Sequence, residues 1–61
     1  MGASIVENVQ EELQDEGYDP GPADGVMGSR TRSAIAQYQD DHGLAVTGTI
    51  NDALLRSLGL T

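Results

Sequence analysis

Acidic side chains are the most abundant groups in this chain that could take part in chemistry. Ten aspartates and glutamates stand against three arginines and one histidine, and there is no lysine. Two carboxylates can serve as general acid and base only where different environments separate their pKa values. The acidic residues at positions 11–16 are predicted to share a solvated helix face, which provides no such separation. We therefore expect no catalytic residues and no enzymatic activity of the chain's own.

A metal or cofactor site is not expected either. Zinc sites are built mainly from histidine and cysteine, and the chain has no cysteine to join His42. The segment from Asp19 to Asp24 has the acidic character of a calcium loop, but Pro20 and Pro22 occupy two of the positions where such a loop needs ligands. We therefore expect neither a zinc site nor a calcium site.

The negative net charge argues against nucleic acids and anionic membranes as partners. The formal net charge is −7, and nucleic acids and anionic membranes are bound mainly through clustered lysine and arginine. No apolar run approaches the roughly 18 residues that cross a bilayer. We expect no nucleic acid partner and no membrane insertion. The acidic surface fits a halophilic source, but also a chance excess of acids in a small domain.

The first predicted element of the chain is a helix from Ile5 to Glu16. Ser4 and Glu7 have the spacing of a capping box, in which the serine hydroxyl accepts from the N–H three residues later. Gly17 supplies the left-handed residue that commonly ends a helix. A proline- and glycine-rich segment follows and is predicted to be a rigid loop.

Two further helices are predicted from the same kinds of signal. The second begins at Gly28 or Ser29 and ends at Gly43, while the third is capped by Asn51 and ended by Gly59. Their inward-facing residues are Ala34, Ile35, Tyr38, Leu54, Leu55 and Leu58. Residues 44–50 are expected to form an extended apolar tie across the helices.

These elements predict an all-α fold, a compact three-helix bundle with structured loops and a weak internal repeat. The repeat unit is a helix, a glycine stop, a loop, a second glycine and another helix. We expect residues 1–61 to form a single monomeric domain with a core of about 5–58, excised from a longer protein.

The order of short motifs along the chain carries a family resemblance. The motifs are Val9-Gln10, Gly17-Tyr18, Asp24-Gly25-Val26-Met27-Gly28-Ser29-Arg30-Thr31, Tyr38-Gln39, His42-Gly43-Leu44 and Val46-Thr47-Gly48. This order resembles the small helical peptidoglycan-binding domain of bacterial cell-wall amidases, peptidases and transpeptidases. It is also similar to the propeptide module of matrix metalloproteases. The resemblance extends from about Val6 to Leu58.

The resemblance implies non-catalytic binding of peptidoglycan, through its stem peptide and an adjoining sugar. It further implies an extracytoplasmic location, in the periplasm or cell wall, and an attached catalytic domain that the binding module targets to the wall. Met27 and Leu54 depart from the family pattern, which often has phenylalanine and threonine there. The alternative is a protein-interaction or propeptide-like module that packs against its own partner domain.

The candidate ligand-binding residues lie in the rigid loop and at the start of the second helix: Tyr18, Asp24, Gly25, Met27 and Arg30. A tyrosine ring can pack against a sugar, and an arginine near a helix N-terminus can hold a carboxylate. Each has a structural alternative. Tyr18 could pack back on its own helix, Asp24 could stabilise a turn, Gly25 could supply a positive φ, and Arg30 could pair with a nearby aspartate.

Overall fold

The first helix, α1 (Ile5–Asp15), has the predicted start and ends one residue before the predicted end. A computed structural model describes residues 4–61. The Ser4 hydroxyl accepts a 3.1 Å hydrogen bond from the Glu7 N–H, which satisfies one of the free donors of the first turn. Gly17 has a φ of 92°, a conformation that glycine adopts without strain. The predicted N-cap and glycine stop are thus confirmed.

The second helix, α2 (Ser29–Asp41), is the longest of the three helices. Its N-cap is Gly28, which has no side chain to accept from the first-turn N–H groups. Those donors therefore remain without a side-chain acceptor at this end of the helix. At the other end His42 is the C-cap, and Gly43 follows with a φ of 69°, as predicted.

The third helix, α3 (Asp52–Ser57), is short. The Asn51 side-chain oxygen accepts a 2.9 Å hydrogen bond from the Leu54 N–H, so the predicted cap is confirmed. Gly59 lies beyond the helix with a φ of 77°. Among residues 4–61 there is no β-strand.

The core lies where the three helices meet. Its buried apolar residues are Val9, Leu13, Ala34, Ile35, Tyr38, Leu54 and Leu58. Leu44 and Ile50, at the two ends of the predicted tie, are half-buried against this core. Ile5, the first residue of α1, is 45% exposed at the open start of that helix. The predicted all-α class is confirmed.

A buried glutamine fixes the loop between α1 and α2. The Gln10 side chain is fully buried. Its oxygen accepts from the Gly25 N–H at 2.9 Å, and its nitrogen donates to the Val26 carbonyl at 3.1 Å and to the Thr31 hydroxyl at 3.0 Å. These bonds satisfy polar groups that would otherwise be costly to bury, and they hold the loop against both helices.

The loop between α2 and α3 is fixed in the same way by Gln39, which is also fully buried. The Gln39 oxygen accepts from the Thr47 N–H at 2.9 Å and from the Gly48 N–H at 3.0 Å. Gly25 and Gly48 each precede the N-cap of the next helix by three residues. The weak repeat expected from the sequence therefore has a structural counterpart in these two glutamine-anchored loops.

Candidate functional site

A small pocket lies between the first loop and the start of α2. It has a volume of about 120 Å³. We call it the proline pocket, and its lining residues are Pro20, Gly21, Pro22, Asp24, Val26, Gly28, Arg30 and Thr31. Its walls combine apolar rings and a valine side chain with one carboxylate and one guanidinium group. This combination suits a ligand that has both apolar and charged groups.

The backbone around the pocket is held in place by side chains from both long helices. The Thr31 hydroxyl donates to the Pro20 carbonyl at 2.8 Å, and the Gln14 side-chain nitrogen donates to the Gly21 carbonyl at 2.9 Å. Both proline rings also restrict φ in this segment. Little conformational entropy would be lost when such a loop orders around a ligand.

Asp24 is an exposed residue of the pocket and also shapes the loop. One of its carboxylate oxygens accepts from the Val26 N–H at 2.9 Å and from the Gln10 side-chain nitrogen at 3.3 Å. This is the turn-stabilising arrangement typical of aspartate, so the structural interpretation of Asp24 is confirmed. Because the carboxylate has two oxygens, its negative charge and second oxygen can still serve a ligand.

Arg30 and Asp19 form an ion pair at the edge of the pocket. The arginine Nη2 lies 2.8 Å from each carboxylate oxygen, and the two side chains are 63% and 76% exposed. Hydrogen bonding to Arg30 lowers the pKa of Asp19 below its ordinary value. The arginine stem lies over Gly21, where an added Cβ would come within 3.3 Å of the Arg30 Cδ. This is the structural alternative considered for Arg30, pairing with a nearby aspartate.

Tyr18 lies outside the proline pocket, at the opposite end of α2. Its N–H donates to the Leu13 carbonyl at 2.9 Å, which fixes its backbone against α1. Its hydroxyl donates to Asp41 at 2.6 Å, and its ring packs edge-on against Tyr38 with centroids 5.5 Å apart. The hydrogen bond to Asp41, together with partial desolvation and the negative charge of Asp41, raises the pKa of Tyr18 to about 12.

Gly25 and Met27 do not line the pocket. Gly25 has a φ of 78° and donates to Gln10, so its predicted conformational role is confirmed. Met27 is half-buried against the core. Of the five candidate residues, Asp24 and Arg30 come together at the pocket, whereas Tyr18, Gly25 and Met27 are placed elsewhere.

Six of the eight lining residues were not among the candidates, and neither was Asp19, which pairs with Arg30 at the edge of the pocket. Val26 is 62% exposed beside the predicted positions, Thr31 holds the Pro20 carbonyl, and Asp19 is the partner of Arg30. Thr31 could have been identified from the motif in which it follows Gly28 by three residues. The pairing of Asp19 with Arg30 had no comparable signal, because an interval of eleven residues across a loop does not determine a contact.

Within residues 4–61, no three histidine, cysteine or acidic side chains form a group that could hold a metal ion. No helix within this range is long and apolar enough to cross a bilayer.

Comparison with known proteins identifies relatives over most of the chain. Residues 2–58 match the family model of the peptidoglycan binding domain. The N-acetylmuramoyl-L-alanine amidase CwlM of Mycobacterium tuberculosis is 42% identical over 53 residues, which are 87% of this chain and 13% of the amidase. The localization factor PodJL of Caulobacter vibrioides is 43% identical over 51 residues, which are 84% of this chain and 5% of that protein. No solved structure shows a significant match.

Proposed function

We propose, from the premise that this chain belongs to the peptidoglycan-binding domain family, that it holds the stem peptide of the wall polymer in the proline pocket. The observation that carries this proposal is the exposed ion pair of Arg30 and Asp19 at the edge of a preformed, largely apolar pocket. Wall peptides carry carboxylate and amine groups together with small apolar side chains. The pocket offers a complementary group for each of these.

Arg30 is the group suited to a ligand carboxylate. Its ion pair with Asp19 is exposed on both sides, and an exposed ion pair contributes little to stability because water and salt screen it. A carboxylate of the wall peptide can therefore replace that of Asp19 at small cost. The free N–H groups of the first turn of α2 add a partial positive charge beside it.

Asp24 is the group suited to a ligand amine. Its oxygen bonded to Val26 keeps the carboxylate fixed at the pocket, so the side chain does not have to be ordered on binding. The exposed Pro22 ring and the Val26 side chain supply apolar surface in the pocket. A volume of about 120 Å³ accepts a small side chain. Affinity is expected to be micromolar or weaker, because so small a pocket removes little ligand surface from water.

We also propose a role for this domain within a longer protein. The chain spans only 13% and 5% of the length of the two relatives. We infer a non-catalytic module that concentrates an attached catalytic domain on its wall substrate, outside the cytoplasm. The family itself associates the chain with the cell wall.

Co-sedimentation with purified sacculi tests this function. The chain should sediment with the insoluble wall and should release no soluble muropeptides. Arg30→Glu should reduce the bound fraction, whereas Arg56→Glu, a matched charge reversal on α3, should not. Failure to sediment with sacculi of several wall chemistries, combined with affinity for a neighbouring protein domain, would favour an interaction module instead.

A further inference from the structure

Three rings are packed together at the C-terminal end of α2. Tyr38 lies at the centre and is 2% exposed. Tyr18 packs edge-on against it, and His42 stacks on it with ring centroids 3.9 Å apart and an angle of 22° between the planes. We call Tyr18, Tyr38 and His42 the aromatic cluster. Because Tyr38 covers one face of the exposed imidazole, the opposite face of His42 is turned towards solvent.

The orientation of His42 is fixed by a hydrogen bond as well as by stacking. Its Nδ1 lies 2.8 Å from the Tyr38 carbonyl oxygen. A carbonyl can only accept, so Nδ1 carries the hydrogen and donates it. In the neutral ring Nε2 is then left as an acceptor at the outer edge. The cluster thus presents a flat ring whose rotamer is already ordered.

Asp41 adds a carboxylate beside this flat ring. The Tyr18 hydroxyl donates to its Oδ2 at 2.6 Å, which holds the side chain in place. The other oxygen can accept from a ligand hydroxyl or amide N–H. An ordered ring face next to a fixed carboxylate is a combination that recognises a pyranose, since apolar C–H faces pack on rings and hydroxyl groups donate to carboxylates.

The surrounding charge favours a neutral sugar over an anionic ligand. Asp40 and Asp41 lie in the last turn of α2, and Glu16 is close enough to contribute to the raised pKa of Tyr18. The chain as a whole carries a net charge of −7. An anionic polymer would be repelled here, whereas an N-acetylated hexosamine would not.

We propose that His42, Asp41 and Tyr18 form a second subsite, which binds an N-acetylhexosamine ring of the glycan strand. This inference rests on the proposed function, because it takes peptidoglycan as the ligand. Arg30 and Asp41 are separated by eleven residues of α2, or about 16 Å along the helix axis. An extended peptide of about five residues covers that distance. One ligand in which a sugar is joined to a peptide can therefore contact the subsite and the proline pocket together.

The test separates the two parts of such a ligand. A soluble oligomer of N-acetylglucosamine, which has no peptide, should shift the amide resonances of Tyr18, Asp41 and His42 in a saturable way. It should leave those of Gly21 and Arg30 in place. A stem peptide without sugar should give the reverse pattern. If the peptide binds and the oligomer gives no saturable shift at the cluster, the subsite is wrong while the proposed function stands.

Variants of His42 provide a second readout. His42→Ala removes the ring and should weaken oligomer binding at least several-fold, whereas His42→Phe keeps a flat ring and should retain most of it. Neither should change affinity for the stem peptide. Because His42 also caps α2, the amide spectrum of each variant is compared with that of the wild type. Equal oligomer affinity of a folded His42→Ala variant and the wild type would overturn the proposal.

Discussion

Gln10 and Gln39 make equivalent contacts in the two connecting loops of the fold. The side-chain oxygen of Gln10 accepts from the Gly25 N–H at 2.9 Å, and that of Gln39 accepts from the Gly48 N–H at 3.0 Å. Both glutamines are fully buried. In each loop a buried glutamine of the preceding helix thus holds a glycine N–H, and the loop held by Gln10 also forms the proline pocket.

We predict that Gln10→Leu destabilises the fold by about 2 kcal/mol, because the Gly25 N–H loses its buried acceptor and the Thr31 hydroxyl loses one of its two partners. In a domain of this size that corresponds to a decrease in Tm of about 10 °C. Thermal unfolding followed by circular dichroism measures it. Gln37→Leu, at an exposed position of α2, is the matched control and should leave Tm nearly unchanged. Equal Tm values for the two variants would contradict the structural role of Gln10.

Two glycines outside the helices differ in the space around them. Gly43 and Gly25 have φ values of 69° and 78°, which disfavour any residue with a Cβ. A Cβ on Gly43 meets nothing within 4 Å, but one on Gly25 would lie 3.2 Å from the Ser4 Oγ and 3.3 Å from the Glu7 Cγ. Gly43→Ala should therefore cost about 1 kcal/mol, from backbone strain alone. Gly25→Ala should cost more, and urea unfolding that ranks the two variants the other way would refute this reasoning.

Local signals explain why so much of the fold could be predicted from the sequence. Ser4 and Asn51 cap helices through hydrogen bonds to a residue three positions later in the chain. Gly17 and Gly43 end helices through their own backbone conformation. Such features depend on residues close in sequence. The helix bounds and the buried positions of α2 followed from them and from the helical period.

The candidate site was harder to predict from the sequence, because its contacts join residues that are far apart in the chain. Tyr18 and Asp19 are neighbours in the chain, yet Tyr18 bonds to Asp41 at one end of α2 and Asp19 to Arg30 at the other. No spacing rule indicates that two adjacent side chains diverge in this way. The sequence therefore grouped Tyr18 with Arg30, whereas the structure separates them by most of the helix.

A change at Gly28 should affect stability and binding in opposite directions. Gly28 has a φ of −91°, and a Cβ there would meet nothing within 4 Å, so a side chain fits without strain. Gly28→Asp would cap α2 and stabilise the fold by a few tenths of a kcal/mol, or about 2 °C in Tm. The same carboxylate would occupy the first-turn N–H groups and repel an anionic ligand. Calorimetry should show a higher Tm together with weaker stem-peptide binding, and an increase in both would argue against a carboxylate site here.

The hydroxyl of Tyr18 should titrate above the usual range. Its pKa is raised from 10.0 to about 12, chiefly by the hydrogen bond to Asp41. A raised pKa favours the protonated form in the folded state, so this contribution to stability is fully present below pH 10 and is lost as the pH rises towards 12. The ring-carbon resonance of Tyr18 followed by NMR should give this titration. Asp41→Asn removes the negative acceptor and should lower the pKa, and an unchanged midpoint in that variant would be inconsistent with the 2.6 Å contact.

The two members of the Arg30–Asp19 ion pair should affect ligand binding in opposite senses. Asp19→Asn removes the carboxylate that a ligand must displace, so affinity for a stem peptide should rise several-fold. Arg30→Glu removes the cation and adds a repulsive charge, so affinity should fall at least several-fold. Both side chains are largely exposed, and neither change should unfold the domain.

Arg56→Glu makes the same charge change as Arg30→Glu, but on α3. It therefore controls for the effect of net charge on a chain that already carries −7. Titration of each variant with the same peptide at two salt concentrations measures the effects, and the gain in Asp19→Asn should shrink at high salt as the competing ion pair is screened. If Asp19→Asn binds less tightly than the wild type, or if Arg30→Glu and Arg56→Glu lose equal affinity, Asp19 is not a competitor for the ligand and the carboxylate is held elsewhere.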